Sequence, residues 1–364
     1  MGIKQLADRD NAQARSAKED EELKELIESK KTQIKIVGCG GAGNNTITRL
    51  NQIGIVGAET IVMNTDAQDL LFSDADKKVL LGKELTSGLG AGADPTVGME
   101  AAKESKEDIK RALQGADLVF LTCGLGGGTG TGSVPVVAAE AKKLGALTIA
   151  VVTLPFTMEG KSRMKNARIG FENLQQVVDS LIVIPNDRLM EVVPDVSIQT
   201  AFKVADEILV NAVKGITELV TKPGLVNLDF ADVRAVMGSS GIAMIGMGES
   251  DTDNRAFEAV EKALNNPLIA LDIDNASGAL VNVVGGEDIS IRESQQIVEA
   301  VSKRLDPDAK IIWGATVDKS LGDTIRAVLV ITGVKQAKVF ADDTRVSKSE
   351  RRDMEKLLGV DFVD

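Results

Sequence analysis

Short apolar runs recur along the first half of the chain, and each is followed by glycine or polar residues. Runs of this length that are rich in valine and isoleucine and bounded by turn residues predict buried strands. Helical patterns separate these runs, so the alternation predicts a parallel sheet covered by helices on both faces. The predicted strands of this half are 34–37, 59–66, 78–81, 117–123, 147–155 and 180–187.

One long helical pattern follows, from Gln199 to Thr221. Its apolar positions recur at intervals of three and four residues, and Pro223 with Gly224 ends it. At 1.5 Å per residue such a helix would span about 35 Å. Because its pattern is so apolar, we expect it to be buried between two domains rather than to lie on the surface.

The alternation resumes beyond this helix, with predicted strands at 241–248, 279–286, 310–318 and 325–334. Predicted helices end before Pro267 and near Pro307. The total of 364 residues also favours two domains. Two flanking segments differ in composition: residues 1–33 form a charged extension, and residues 339–364 form a polar tail that we expect to be flexible.

The charge and composition exclude several kinds of chemistry. The net charge is −12, which disfavours a nucleic-acid partner, because neutralising its phosphates needs a basic face. There is no histidine, which excludes a Ser-His-Asp triad and an imidazole base. Cys39 and Cys123 are expected to be small buried residues at strand ends. No apolar run reaches the ~20 residues that span a bilayer, and the N-terminus is polar, so we expect a cytoplasmic protein without membrane insertion.

Three glycine-rich loops indicate phosphate binding. Residues 38–45 read GCGGAGNN after a strand, and residues 123–133 read CGLGGGTGTGS after another. Successive backbone N–H groups in such loops, at the start of a helix, bind anions. Residues 88–95, GLGAGADP, form a third loop, and the three together suggest that strand ends converge on one phosphate chain.

The first loop alone also fits a different function. It matches G-x-G-x-x-G, and Asp66 follows about twenty residues later, as in an NAD- or NADP-dependent oxidoreductase. That hypothesis leaves the second glycine loop unexplained. Nor is EGKS at 159–162 an ordinary P-loop, because the pattern requires glycine where Pro155 stands. Glu159 and Arg163 in this segment suit a ribose or phosphate edge as well as a solvated turn.

Three further polar residues cluster just after the long helix, in the segment NLDFADV at 227–233: Asn227, Asp229 and Asp232. One interpretation is a helix N-cap. The other is a pair of carboxylates that polarises an attacking water with help from a cation. Sequence spacing alone does not place them beside the glycine loops.

Taken together, these motifs closely resemble the FtsZ family, the prokaryotic relatives of tubulin. GGGTGTG at 126–132 is similar to the signature loop of that superfamily, and the other segments follow in the expected order across about residues 34–338. The Cys39-Gly40-Gly41 run and the pair Asn44-Asn45 resemble archaeal members. The further matching segments are NTDAQ at 64–68, TLPFTMEGKSRM at 153–164, IPNDRL at 184–189 and NLDFADVRAVM at 227–237.

The resemblance implies a tubulin/FtsZ fold. It comprises a Rossmann-like parallel-sheet GTPase domain at 34–198, a central helix at 199–222 and a smaller α/β C-terminal domain at 223–338. GTP or GDP would be the ligand, with Mg²⁺ held mainly through the phosphates and water, and no metal site made by protein residues alone. The implied nucleotide contacts are Gly41, Ala42, Gly43, Asn44, Asn45, Asn64, Asp66, Ala91, Gly92, Ala93, Gly128, Thr129, Gly130, Glu159, Arg163, Asn186, Phe202 and Asp206.

Within that set the resemblance implies separate roles. Residues 91–93 would face the γ-phosphate, and residues 128–130 would hold the α- and β-phosphates. Glu159 and Arg163 would contact the ribose. Phe202 would pack on the guanine, and Asn186 and Asp206 would hydrogen-bond it.

The family also implies how the acidic segment works. Asp229 and Asp232 would act on the GTP of the next subunit in a head-to-tail filament, with Asn227 orienting their loop. Hydrolysis would then depend on polymerisation into a cytokinetic ring at mid-cell. Besides further copies of itself, the partners would be membrane-tethering adaptors that bind through the C-terminal tail, where LLGVDFV is a candidate docking peptide. A third hypothesis is a tubulin-like GTP-binding protein that does not divide cells, against which the two carboxylates argue.

Overall fold

The computed structural model describes residues 32–188, 198–221, 225–226, 229–238, 241–266, 273 and 276–334. Residues 1–31, most of the charged extension, and the whole of the predicted tail lie outside these ranges, as does Asn227. The side chains of residues 198, 199 and 201 are also outside the description.

Ten strands form one continuous sheet in the order β3-β2-β1-β4-β5-β6-β7-β10-β8-β9. The strands from β3 to β7 in this order run parallel, whereas β10 pairs antiparallel with both β7 and β8. Pairing of β6 with β7 joins the two halves of the chain. The strands are β1 (Ile34–Cys39), β2 (Ala58–Asn64), β3 (Lys77–Leu80), β4 (Leu118–Gly124), β5 (Leu147–Leu154), β6 (Ser180–Pro185), β7 (Gly241–Ser250), β8 (Gly278–Gly285), β9 (Lys310–Val317) and β10 (Ile325–Thr332).

Helices cover both faces of this sheet. They are α1 (Gly40–Ile53), α2 (Ala67–Phe72), α3 (Lys83–Thr86), α4 (Pro95–Glu104), α5 (Lys106–Leu113), α6 (Thr129–Lys143), α7 (Lys161–Gln175), α8 (Ile198–Thr221), α9 (Phe230–Met237), α10 (Arg255–Leu264) and α11 (Ile291–Ser302). Short 3₁₀ turns lie at Thr157–Glu159 and Lys319–Leu321. Among the described residues no helix is both long and apolar enough to cross a bilayer.

The central strands are buried on both faces, as expected for a parallel sheet. In β1, Ile36 packs into the cluster that contains α8, while Val37 packs into the cluster beneath α4–α7. The first of these clusters also holds Leu280 of β8 and Val328 of β10, so α8 shares one core with both halves of the sheet. The expected buried position of the long helix is therefore confirmed.

Helix α8 is 24 residues long, which corresponds to about 36 Å. Near its end the Thr221 hydroxyl donates a hydrogen bond to the carbonyl of Val56, just before the amino end of β2 (3.2 Å). Six residues earlier in the helix, the carbonyl of Gly215 accepts a hydrogen bond from the amide of Asn282 (3.1 Å). The helix thus spans the sheet from the carboxyl ends of the strands to their amino ends.

Helix α6 begins at Thr129, inside the second glycine loop. Glycine disfavours helix, yet the close backbone contacts of this turn with α4 need residues without side chains. Packing therefore overrides propensity there.

Candidate functional site

A cavity of about 560 Å³ opens at the carboxyl ends of β1, β2, β4, β5 and β6. Open parallel sheets bind ligands at this edge, where loops connect strands to the following helices. Its walls come from the three glycine loops, the segment after β5, the end of β6 and the first half of α8. The expected convergence of the strand ends is therefore present.

Two helices begin at the floor of this cavity, α1 at Gly40 and α6 at Thr129. Neither is capped by a side chain, and neither has an acidic residue in its first turn. The neighbouring helices α2 and α4 are capped instead, by Asp66 and Asp94. The N–H groups of the first turns of α1 and α6, with the positive ends of both helix dipoles, therefore suit an anionic ligand.

The glycine loops pack backbone against backbone. Gly40 has φ +70°, and a Cβ there would lie 2.7 Å from the nitrogen of Gly130. A Cβ on Gly128 would lie 2.6 Å from the carbonyl oxygen of Gly92. Side chains at these positions would push the loops apart, so the sequence needs glycine for the loops to meet around one ligand.

A hydrogen-bond network fixes the second wall. The hydroxyls of Thr65 and Thr129 lie 2.6 Å apart, which ties the start of α6 to the end of β2. The Asp69 carboxylate accepts from the amides of Asn44 (2.8 Å) and Asn64 (2.5 Å). Because Asp69 holds both amides, this wall is rigid before any ligand binds.

The opposite end of the cavity is suited to a planar heterocycle. The ring of Phe202 is partly exposed in the cavity and meets Phe156 edge to face, with the centroids 5.2 Å apart. Asn186 is buried, and its Oδ1 atom has no hydrogen-bond partner among the described residues. A buried amide oxygen without a partner is costly unless a ligand supplies a donor.

Asp206 lines the same end, one helical turn after Phe202. Burial raises the pKa of its carboxyl to about 6, against the smaller lowering effects of a hydrogen bond from Thr46 and the charge of Arg49. The Thr46 hydroxyl lies 3.4 Å from the carboxylate. A half-buried acceptor beside an aromatic face can discriminate heterocycles that present N–H groups from those that do not.

Glu159 and Arg163 form an ion pair (2.6 Å) on the rim of the cavity. Glu159 also accepts from the backbone N–H of Phe156 (2.8 Å), which fixes the turn after β5. The pair leaves charged groups of both signs at the opening. This geometry can contact the hydroxyl and phosphate groups of a nucleotide.

Most of the predicted nucleotide contacts line the cavity, but four do not. Gly43 faces β4, where a Cβ would lie 2.6 Å from the carbonyl oxygen of Thr122. Asn44 points to Asp69, Asn45 is exposed on α1, and Ala93 is exposed beyond the loop. The predicted residues that do line it are Gly41, Ala42, Asn64, Asp66, Ala91, Gly92, Gly128, Thr129, Gly130, Glu159, Arg163, Asn186, Phe202 and Asp206.

The acidic segment lies elsewhere. Asp229 and Asp232 are exposed at the start of α9, beyond the far end of α8, and neither lines the cavity. Asp229 caps α9 by accepting from the N–H of Asp232 (2.8 Å), so the structural interpretation of this residue is correct. Asn227, the third residue of the predicted set, lies outside the described residues.

Sequence reasoning missed several residues of the cavity wall. Asp69 is the most important, because it orders two asparagines beside the glycine loops. Cys39, Leu125, Thr153 and Leu209 also line the cavity. Cys39 and Leu125 belong to the glycine loops, whereas the only signal for Thr153 and Leu209 was a position at a strand end or on the apolar stripe of α8, which does not distinguish a wall residue from a core residue.

The carboxylates of the described residues form no group of three or more that could enclose a metal ion. Magnesium is usually bound by one or two carboxylates together with phosphates and water. Asp66 and Asp69 lie in the cavity wall beside the loops. Hard oxygen donors are thus present, which fits an ion carried mainly by a bound phosphate chain.

Two family models match the chain. Residues 33–194 match one described as "Tubulin/FtsZ family, GTPase domain", and residues 241–335 match one described as "FtsZ family, C-terminal domain". The first match contains all three glycine loops and the cavity residues up to Asn186. The second begins beyond the acidic segment.

Similar proteins cover nearly the whole chain. "Cell division protein FtsZ 1" of Methanocaldococcus jannaschii is 61% identical over 89% of this chain and 89% of its own. The protein of the same name from Thermococcus kodakarensis is 61% identical over 92% of this chain and 90% of its own. An FtsZ dimer structure from M. jannaschii superposes with a TM-score of 0.84 at 62% identity, covering 87% of this chain and 92% of that one. GDP-bound CetZ1 from Haloferax volcanii shares the fold at 22% identity, with a TM-score of 0.74 over 90% of this chain and 100% of its own.

Proposed function

The chain belongs to the FtsZ family of tubulin-like GTPases, and from this premise we propose that it polymerises head to tail into the filaments of the cytokinetic ring. As a member of this family it is a GTPase that binds GTP and GDP. The finer proposal is that each active site is shared by two subunits, so that hydrolysis accompanies assembly.

The observation that carries this proposal is the separation of the two parts of the site. The nucleotide cavity is lined by the first half of α8, whereas Asp229 and Asp232 follow the other end of this helix in the chain and do not line the cavity. One chain thus has a phosphate-binding end and an acidic end. A heterologous contact between the two ends repeats without closing and generates a filament.

Exposed apolar residues beside the cavity support such a contact. Leu71, Phe72 and Leu89 are 71%, 76% and 86% exposed. A backbone bridge between Asp66 and Leu89 holds the loop that carries Leu89 against the start of α2. Side chains of this size are normally buried, so an exposed cluster of them is typical of a docking surface.

In the proposed site the phosphates occupy the N-termini of α1 and α6, where Gly41, Ala42, Gly128, Thr129 and Gly130 line the cavity. Ala91 and Gly92 face the γ-phosphate. Backbone N–H groups hold negative charge here without lysine, which suits an acidic protein. When bound, Mg²⁺ neutralises charge that develops on the phosphates, and we propose that phosphates and water, together with Asp66 or Asp69, hold it.

The base and ribose occupy the other end. Phe202 packs on the guanine, while Asn186 and Asp206 hydrogen-bond its edge. The unpartnered Oδ1 of Asn186 supplies an acceptor, and an ionised Asp206 accepts from two N–H groups that adenine lacks at the corresponding positions. Glu159 and Arg163 contact the ribose.

The carboxylates of the next subunit complete the site. Asp229 and Asp232 accept hydrogen bonds from the attacking water and orient its lone pair toward the γ-phosphate. Asn227 orients the loop. We retain as part of this proposal the domain limits 34–198, 199–222 and 223–338, a position at the mid-cell division site, and adaptors that tether the filament to the membrane through the tail at 339–364.

The experiment is GTP turnover with Mg²⁺ as a function of protein concentration, read together with light scattering. Specific activity should be close to zero in dilute protein and rise above a critical concentration as scattering grows. Turnover that is independent of concentration, without scattering, would place the complete site within one chain and overturn the shared-site proposal.

A further inference from the structure

A second cavity of about 450 Å³ lies between α4, α6 and α7 on the outer face of the GTPase half. It is separate from the nucleotide cavity and has no role in the function proposed above. Its lining is mainly apolar, and Ile169 of α7 is 42% exposed in it. The apolar residues of this helical groove are Pro95, Met99, Pro135, Val136, Ala139, Ile169 and Val177.

One side of the helical groove is positively charged. Lys103, Lys106 and Lys143 line it against a single carboxylate, that of Glu140. Glu140 pairs with Lys143 (2.7 Å) and Lys106 (3.3 Å). Lys103 pairs with the exposed Glu100 outside the groove (2.8 Å). Because the lysines outnumber the lining carboxylate, an occupant with apolar and acidic side chains is favoured over a neutral or basic one.

The described chain ends close to this groove. Thr332, the last residue of β10, pairs with Ala243 of β7, which in turn pairs with Ile182 of β6. Two strand spacings, about 10 Å, therefore separate Thr332 from Ile182. Val177 of the groove lies three residues before β6 begins. Residues that follow Val334 thus start at the same end of the sheet as Val177, which lines one end of the groove.

We propose that the segment Leu357–Asp364 docks in the helical groove of its own chain. Its sequence, LLGVDFVD, combines five large apolar residues with two aspartates and no basic residue. It therefore matches the groove in both respects, with apolar side chains for the helix surfaces and carboxylates for the lysines. The preceding stretch, RRDMEK at 351–356, is polar and would not compete for the groove.

The connection is long enough for this docking. Residues 335–356 provide 22 residues between the last described residue and the segment. A flexible chain of that length has a root-mean-square span of about 25 Å. A tether of this size gives an effective concentration in the millimolar range, so the segment would occupy the groove of its own chain even at low affinity.

Docking there would touch the backbone that shapes the phosphate site. Pro95 and Gly132 line the groove, and a Cβ on Gly132 would lie 2.0 Å from the carbonyl oxygen of Pro95. Pro95 follows the loop that carries Ala91 and Gly92, and Gly132 belongs to the first turn of α6. The segment would therefore bind to the outer side of the same two elements that line the nucleotide cavity.

Cysteine cross-linking in the full chain tests the proposal. Both native cysteines are buried, and burial raises the pKa of Cys39 to about 12 and that of Cys123 well above its usual range, so introduced surface thiols will react first. Gly359→Cys in the segment is combined with Asn173→Cys, which lines the groove. The control is Glu172→Cys, which is exposed on the neighbouring position of α7 but outside the groove.

We expect the 359–173 pair to form an intramolecular disulfide about tenfold faster or more than the 359–172 pair in dilute protein treated with a mild thiol oxidant. Ile169→Asp should remove that preference, whereas Ile53→Asp, at a helix residue of similar exposure (45%), should not. Equal rates for the two pairs, a preference that survives Ile169→Asp, or disulfides formed only between chains would overturn the proposal. The last result would assign the groove to a second copy.

Discussion

At the scale of single residues, Asp206 combines burial with a proposed contact to the guanine. Burial raises the pKa of its carboxyl to about 6, so the empty site favours the protonated form more than an exposed aspartate would. The proposed guanine contact needs the ionised form, because the proton of a neutral carboxyl would face one of the two N–H donors. If Asp206 makes this contact, nucleotide affinity should depend on pH.

We expect the affinity for GDP to fall by about fourfold between pH 7.5 and pH 5.5 because of this carboxyl alone. The phosphates also titrate in this range, so the measurement is the difference between the wild type and Asp206→Asn in fluorescence titrations of labelled GDP. The variant should bind more weakly at pH 7.5 and lose the Asp206 contribution to the pH dependence. Parallel pH curves for the two proteins would contradict the assignment.

The pH dependence of folding stability is an independent check. The Asp206 carboxyl should lower stability as the pH rises, whereas it should raise nucleotide affinity. A folded-state pKa raised above the unfolded value means that folding favours the protonated form, so this group's contribution to stability is lost as the pH rises through about 6. Without nucleotide, Asp206→Asn should therefore unfold at a higher denaturant concentration than the wild type at pH 7.5. The difference should shrink as the pH falls below about 6.

Residues of the glycine loops could be predicted from the sequence, because their role depends on local spacing. Residues that contact each other only after folding could not be predicted in this way. Gly128, Thr129 and Gly130 belong to a loop with more glycine than an ordinary turn between a strand and a helix requires. Asp69 gave no such signal, because its contacts with Asn44 and Asn64 exist only once α1, β2 and α2 have packed. The assignment of Asp206 came from resemblance, since spacing alone gives no measure of its burial.

At the scale of elements, the contact between α4 and α6 sets the shape of the phosphate loops. A Cβ on Gly132 would lie 2.0 Å from the carbonyl oxygen of Pro95 and 2.6 Å from the nitrogen of Met99. Both are backbone atoms that cannot rotate away. The two helices therefore approach as closely as their backbones allow, and this approach fixes the loop that precedes Pro95.

We expect Gly132→Ala to lower the free energy of unfolding by about 1–3 kcal/mol and to weaken GDP binding, because the helices must separate. Gly215→Ala is the matched control within α8, where the new Cβ would make only an ordinary contact 3.6 Å from Asn282. That substitution should be neutral or stabilise by up to about 1 kcal/mol, because alanine favours helix. Denaturant unfolding measures both, and equal effects would contradict the packing argument.

In helix α9 a structural role can be tested separately from the proposed catalytic role. The Asp229 side chain caps the helix, whereas Asp232 contributes its backbone N–H to that cap. Asp232→Ala should therefore leave stability and GTP binding unchanged and reduce turnover by ~10² or more. Asp229→Ser keeps a capping oxygen and removes the charge, so it should also reduce turnover while the helix remains.

Steady-state phosphate release at a concentration well above the assembly threshold measures both variants. Arg234→Ala, in the same helix but not among the proposed catalytic residues, serves as the control and should retain turnover. Normal turnover in Asp232→Ala would remove this carboxylate from the mechanism.

The order of strands shows where element-scale prediction ends. The alternation of strands and helices correctly predicted the parallel half, because each crossover there has its own helix. It did not show that β10 inserts antiparallel between β7 and β8. The position of β10 depends on which apolar strand faces pack together although they are far apart in the sequence. All these strands have similar apolar patterns, so the sequence does not distinguish one arrangement from another.

At the scale of the whole molecule, assembly should depend on apolar residues outside the nucleotide cavity. Phe72 is 76% exposed at the end of α2 and does not line the cavity. If the next subunit covers this surface, Phe72→Asp replaces a buried aromatic contact by a desolvated charge. The loss of a phenylalanine contact alone is worth about 1.5–3 kcal/mol, or roughly a tenfold to hundredfold change in association.

We therefore expect Phe72→Asp to raise the critical concentration for scattering and turnover by about tenfold or more, while GDP binding by the dilute protein stays unchanged. Phe257→Asp is the matched control, since Phe257 is an exposed phenylalanine (44%) on α10, far along the chain from the cavity residues. Unchanged binding together with a higher threshold would separate the assembly surface from the nucleotide site. An unchanged threshold would show that Phe72 is not covered by the neighbouring subunit, and the filament contact would then have to lie on another surface.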